Sequence, residues 1–518
     1  MGKRAFLLLA TVILLVGAVW RLGGLAPRSL WIDDFITRQT ALLPIWKPGA
    51  LNPAPPERPS THSIASFTLH DTGPGPLTYV LEGLFARWAK PYGGEFWIRL
   101  PGVVGGIAAL LIFLWLGPRW TGGRDGALML GTLASLPMVI EWCTGARGYG
   151  WAVAIVVADL GLLVELSRPA TRRRSPNLVW CLLLLLIIAG ALLHPLMTVW
   201  NAAVVLGALV ARNERGSCAA HLTRGGFWGG LAAVCLLNLI WFSMWYSNIR
   251  QMPQGALPPF SGDAFARAHA AFAHKVHSDN ILGLAPPLYF LVPIMVGILF
   301  CRGRRFRPAT AALLAGWILF LPVFLLLMHR EFLQLRYFFV MVAGLIWAAA
   351  SVWQRNCSFW RRRFGSWPVT VVAAIALMAL LVAFNRTAWQ AARRPIHDWG
   401  TAVKFLKERI GPTDMVFAGP NSDVEMLWEY GTAVGIPEMQ IPRSFSVPNG
   451  SPVDAFSEAG LKLALQSNRR LWFVTPFWGQ IRPASYWKLA EANFKEVVSV
   501  PGRMPIRVMV HEPVSQPK

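Results

Sequence analysis

The chain has 518 residues, of which 54% are hydrophobic and only 14% charged, and its mean hydropathy is +0.44. That apolar content exceeds what one globular core can hide, so the surplus must face lipid. A formal net charge of +23 does not mark a nucleic-acid-binding protein, because the Lys and Arg residues are scattered between apolar runs rather than gathered in one patch.

Met1-Gly-Lys-Arg precedes an apolar run with no convincing small-residue cleavage site after it, which predicts a retained first span rather than a signal peptide. Crossing the hydrocarbon takes about 20 mostly apolar residues. The predicted spans are 5–25, 97–117, 126–142, 149–166, 178–193, 196–211, 226–245, 281–300, 309–328, 337–354 and 368–384. The loops between them alternate in charge. One side receives Lys3 and Arg4, Arg119 and Arg124, Arg172 to Arg174, Arg212 with Arg215 and Arg224, Arg302 to Arg307, and Arg361 to Arg363. By the positive-inside rule that side is cytoplasmic. The poorly basic tips near 141–148, 194–195 and 329–336, with segments 26–96, 246–280 and 385–518, then face the periplasm of a bacterial inner membrane. The apolar stretch 76–89 contains Glu82 and Arg87, and counting it as a span would destroy the alternation, so it is expected to lie along the interface.

Beyond Phe384 the pattern changes. Helices are predicted at 397–410, 422–431 and 484–494, and strands at 414–418, 470–475, 495–500 and 505–511, which together predict a small α/β domain. The expected fold is thus a polytopic α-helical membrane protein of about eleven transmembrane helices, residues 1–384, followed by a periplasmic α/β domain, residues 385–518. No GxGxxG or P-loop occurs, so no nucleotide site is expected. Six Cys residues without CxxC or Cys/His ligand spacing give no sign of zinc or of a disulfide framework.

Ionisable groups at the ends of apolar spans are candidate functional residues. Asp33 and Asp34 follow the first span within Ser29-Leu-Trp-Ile-Asp-Asp-Phe, and Asp71 opens the Pro-rich stretch Asp-Thr-Gly-Pro-Gly-Pro-Leu-Thr-Tyr79. Arg99-Leu-Pro101 begins the second span, and Glu141, Arg147 and Tyr149 lie between the third and fourth. His194 joins the fifth and sixth, and Arg336 and Tyr337 open the tenth. Each has a plainer reading: a solvated acidic turn, a capped helix end at His194, a snorkelling Arg336, a packed Arg99.

Taken in order, Trp31-Ile-Asp-Asp, PGPLTY, RLPG, GARGY, the His between two spans and LRYF resemble the GT-C glycosyltransferases. The branch concerned is the one related to protein O-mannosyltransferases, with aminoarabinose and galacturonosyl transferases of lipopolysaccharide as relatives. The resemblance runs from residue 1 to about 390, and the tail is similar to one carried by some members. It implies transfer of a sugar from a polyprenyl-phosphate donor to a lipid, glycan or protein acceptor at the periplasmic face, generally with inversion. It places the catalytic acid position at Asp33 with Asp34 as its acidic neighbour, and matches Arg147 and Tyr149 to the Ala-Arg-x-Tyr element. Gly145 stands where relatives have Glu, with Glu141 one helical turn earlier, and Pro74 stands where relatives often have His. Asp71, Glu141, Arg147, Tyr149, His194, Arg336 and Tyr337 are then substrate-binding candidates, with membrane lipids as surroundings. A lipid-phosphate donor demands no obligatory Mg²⁺ and no other cofactor, although an acidic pair is able to hold a divalent cation. Two rivals remain on sequence alone: a transporter or flippase of lipid-linked glycans, which lacks support from any internal repeat, and an oligosaccharide polymerase or ligase.

Overall fold

The computed structural model describes residues 1–25, 29–30, 32–44, 64, 74–168, 176–213, 216–217, 231–243, 306–329, 339–393, 397–418, 422–442, 444–445, 453–455, 457–467, 469–476, 484–501 and 506–512. The chain forms two compact units. One comprises Met1–Gly24, Leu43–Leu81 and Leu100–Ala392, and the other Leu25–Leu42, Glu82–Arg99 and Arg393–Lys518. The second unit is larger than the C-terminal tail, because it also takes in the two segments that hold the first acidic pair and the start of RLPG.

The first unit is a helical bundle. Its helices are α1 (Lys3–Gly23), the part of α4 (Phe96–Trp120) that follows Arg99, α5 (Arg124–Leu133), α6 (Pro137–Cys143), α7 (Tyr149–Leu166), α8 (Pro176–Leu193), α9 (Leu196–Leu209), α10 (Leu231–Ser243), α11 (Arg307–His329), α12 (Phe339–Phe364) and α13 (Ser366–Arg393). The preceding helices α2 (Ile32–Ala41) and α3 (Pro76–Ala86) belong wholly or partly to the other unit. The predicted span 281–300 lies outside the described residues, and each of the others falls on a helix or helix pair. The chain is a polytopic α-helical membrane protein. Among the described residues four helices are long and apolar enough to cross a bilayer, five counting one bent pair. Helix α7 is 83% buried and α13 only 17%, so α7 is the centre of the bundle and α13 gives most of its surface to lipid.

The bent pair corrects one expectation. The predicted span 126–142 is two helices, α5 and α6, bent by 68° at residues 134–136. Pro137 is the cause, since it brings no N–H and forces Leu136 to an extended ψ of 142°. A carbonyl freed at such a break needs a donor inside the membrane. The buried Arg21 of α1 supplies it, with Nη2 donating to the Ala134 carbonyl at 2.6 Å and Nη1 to that of Gly17 at 2.9 Å.

Two further polar contacts in the bundle use neutral partners. Trp200 Nε1 of α9 donates to Asp159 Oδ2 of α7 at 2.9 Å, and Asn201 donates to Asn238 of α10 at 2.8 Å. Opposite charges pair at helix ends, where Arg361 forks onto Asp125 and Glu165 faces Arg119 and Arg168.

The tail folds as predicted in type. Strands β1 (Met415–Ala418), β2 (Leu471–Pro476), β3 (Lys495–Val500) and β4 (Ile506–His511) form a mixed sheet in the order β1-β2-β4-β3. Strands β1 and β2 are parallel, and the other two pairings are antiparallel. Phe417, Phe473 and Met509 are in register across the sheet. Val416 to Ala418 and Leu471 to Val474 are all buried, as expected of strands covered on both faces. Helices α14 (Trp399–Lys407), α15 (Ser422–Ala433) and α17 (Ala484–Asn493) match the predicted ones within a few residues. A further helix, α16 (Glu458–Leu465), was not predicted; Ser457 caps it by accepting from Gly460 N–H at 3.0 Å.

Candidate active site

Each unit assembles part of the predicted constellation. In the bundle, two motifs converge on the turn between α8 and α9, and a third packs on the turn between α6 and α7. The carbonyl of Leu193, left over at the end of α8, accepts from Gly75 N–H at 2.8 Å and from the Thr78 hydroxyl at 3.0 Å, so the PGPLTY segment is tied to the His194 turn. Gly148 precedes α7 with φ of +65°, and a Cβ there would stand 2.7 Å from Thr78 Oγ1, which explains the second glycine of GARGY twice over. The RLPG glycine, Gly102, lets α4 pass against the turn between α6 and α7, since its Cβ would meet the Cys143 carbonyl at 2.7 Å.

This close packing brings Tyr149 and His194 together. Their ring centroids are 5.4 Å apart, and Phe339 completes a triangle at 5.3 Å from Tyr149 and 5.4 Å from His194. His194 is buried, and its Nδ1 accepts from Leu196 N–H at 3.1 Å. That bond leaves the proton of a neutral imidazole on Nε2, the nitrogen turned away from its own backbone. Arg147 lies half-buried in the turn between α6 and α7, and Glu141 half-buried in the last turn of α6. Phe339 was not foreseen, although it is the second residue after the Arg336-Tyr337 pair.

In the other unit, Asp33 and Asp34 lie in the first turn of α2, where carboxylates suit the positive end of a helix. Asp34 is buried, and so is Arg99, whose Nε and Nη2 both lie 3.2 Å from Asp34 Oδ2. Arg99 Nη2 also donates to the Ser29 carbonyl at 3.0 Å. The packed Arg99 of the sequence reading is therefore the counter-charge of Asp34. Glu82 of α3 is buried in the same unit with its Oε2 lacking a hydrogen-bond partner. Burial above all, and then the charge of Asp34, pushes its carboxyl well above the usual carboxylate range. Close approach is possible because residue 83 is glycine, whose Cβ would stand 2.9 Å from the Ala41 carbonyl at the end of α2.

Asp71, Arg336 and Tyr337 lie outside the described residues, as does the side chain of Asp33. Among the described residues no three His, Cys, Asp or Glu side chains gather as a metal-ligand set.

No protein-family model matches the chain, and no curated protein sequence matches it. Two solved structures match it over nearly their whole length. ArnT from Cupriavidus metallidurans in the apo state gives a TM-score of 0.51 at 14% identity, covering 97% of both chains. The same protein bound to undecaprenyl phosphate gives 0.50 at 12% identity, covering 98% of both. The chain has the GT-C fold. The likeness extends through the α/β tail, since the coverage leaves room for no unmatched domain in either protein. At such low identity it is a likeness of fold, and residue roles in this chain rest on its own chemistry.

Proposed function

We propose that this protein transfers a sugar from a polyprenyl-phosphate donor to an acceptor hydroxyl at the periplasmic face of the bacterial inner membrane, in modification of lipopolysaccharide or another envelope glycan. The observation that carries the reading is the end-to-end match to a protein whose structure holds undecaprenyl phosphate. The acidic turn of α2 in one unit and the His194–Tyr149 turn in the other each carry groups of the kinds this chemistry requires.

Inverting transfer forms a bond from the acceptor oxygen to the sugar C1 as the bond from C1 to the phosphate oxygen breaks. The acceptor proton passes to a base, for which Asp33 is the choice. Asp34 is already engaged by Arg99, so it is the less free of the two to meet an acceptor hydroxyl. The leaving phosphate gains negative charge, which fixed donors stabilise where water is scarce. Arg147, Arg336 and His194 Nε2 fill that role, and the apolar faces between spans accept the prenyl tail.

The test is incubation of the purified protein in nanodiscs with a panel of polyprenyl-monophosphate sugars and a membrane extract. Release of polyprenyl phosphate with transfer of a single sugar supports the reading. Transfer of a whole oligosaccharide would instead make the protein a polymerase or ligase, and translocation without release would make it a transporter. Arg147→Ala is expected to weaken use of the lipid-phosphate donor, and unchanged donor kinetics would remove Arg147 from phosphate binding.

A further inference from the structure

The segment that carries the acidic pair is held from both sides by side chains of the C-terminal domain. Before the pair, Ser29 Oγ donates to Asp398 Oδ1 at 3.1 Å and accepts from Gly400 N–H at 2.8 Å. Leu30 N–H donates to the Tyr430 hydroxyl at 2.8 Å, and that hydroxyl in turn donates to Glu95 Oε1 at 3.3 Å. After the pair, one turn beyond Asp34, Arg38 of α2 forms an ion pair with Glu429 of α15. The partners are firmly placed. Asp398 caps α14 by accepting from Thr401 N–H at 3.1 Å, and Glu95 is fixed by the backbone N–H groups of Tyr92 and Gly93, both at 2.7 Å. Tyr430 and Leu30 are fully buried.

A segment that merely rested on the tail would show apolar packing and exposed, interchangeable polar contacts. Here the contacts are directional and bracket Asp33 and Asp34 within the ten residues from Ser29 to Arg38. Four groups, on tail residues 398, 400, 429 and 430, restrain both ends of the turn from which a base must reach the acceptor. Tolerance for displacement of such a group is small, since about 1 Å of misplacement costs about a hundredfold in rate.

We infer that Tyr430, Glu429 and Asp398 of the C-terminal domain are positioning residues that set the geometry of the Asp33–Asp34 turn. The domain thereby acts on the rate of transfer rather than on donor affinity. The catalytic part of the inference rests on the transferase reading above.

The experiment uses the full chain in nanodiscs and compares wild type with Tyr430→Phe, Arg38→Glu, Glu429→Arg and the combined Arg38→Glu/Glu429→Arg swap. Two quantities are read on the same samples: kcat and KM for the donor, and hydrogen exchange of the backbone amides across residues 29–41. The single variants are expected to lose about tenfold to a hundredfold in kcat with little change in KM, and to exchange faster across this segment. The swap is expected to recover most of both losses. A loss shared by kcat and KM, or one that follows the fraction of unfolded protein and is not recovered by the swap, would reduce the tail to a structural role. Unchanged kcat and exchange in all variants would overturn the positioning outright. Faster exchange in variants of a well-folded wild type that releases no polyprenyl phosphate would leave the clamp standing and overturn the transferase reading instead.

Discussion

The two units handle buried polarity in opposite ways. In the bundle, Asp159 meets a Trp, Asn201 meets an Asn, and Arg21 meets backbone carbonyls, while opposite charges among the described residues pair at helix ends. In the unit that contains the tail, the buried charge of Asp34 is answered by Arg99, and Arg38 by Glu429, around a single turn of helix. Neutral or backbone partners serve to hold helices side by side in lipid, where any polar group must be satisfied locally. Paired charges cost more to bury and fix direction more sharply, which suits the catalytic role proposed for this turn.

That contrast breaks most readily at Arg99. Arg99→Leu leaves Asp34 buried without a counter-charge and is expected to destabilise the tail-containing unit by about 3–5 kcal/mol. Thermal unfolding in detergent measures it, and a melting temperature within a degree or two of wild type would show that the pair does not bear on stability. Trp200→Phe tests the bundle side of the comparison. It removes the donor to Asp159 but keeps most of the packing, for an expected loss of about 1–3 kcal/mol, read by the same method. A loss equal to that of Arg99→Leu would erase the distinction between the two regions.

The smallest effect is a pH dependence at Glu82. Its folded-state carboxyl is raised, so its contribution to stability is complete below the ordinary carboxylate range and is lost as pH rises through the raised value. Glu82→Gln keeps the shape without the ionisation. Its melting temperature relative to wild type is expected to rise steadily from mildly acidic to mildly alkaline pH. A difference that stays constant with pH would place the unpartnered carboxyl outside the linkage.

Much of the bundle was legible because a span needs only length and apolarity, and its ends are marked by charge. Helix α7 ends at the two residues expected, Tyr149 and Leu166, and the His194-Pro195 turn separates α8 and α9 where expected. The bend at Pro137 was missed because a hydropathy window averages over a local loss of one hydrogen bond. Helix α16 was missed because Gly460 and a short length weaken its periodicity, although Ser457 was a usable start signal. In the site, Asp33 and Asp34 stood out as charges beside an apolar span. Arg99 was visible only as a charge entering a span, since its partner lies 65 residues away and no spacing rule connects them. Nor does any pattern in residues 385–518 announce that Tyr430 reaches Leu30, a contact between residues 400 apart.

The most direct test of the account is a single-turnover comparison of wild type with Asp33→Asn, using whichever polyprenyl-phosphate sugar the wild type accepts. The account predicts a loss of about a hundredfold or more in the rate of sugar transfer, with donor binding, membrane insertion and melting temperature unchanged. A variant that keeps most of the wild-type rate would contradict it, and would take the acceptor's base away from the acidic turn of α2.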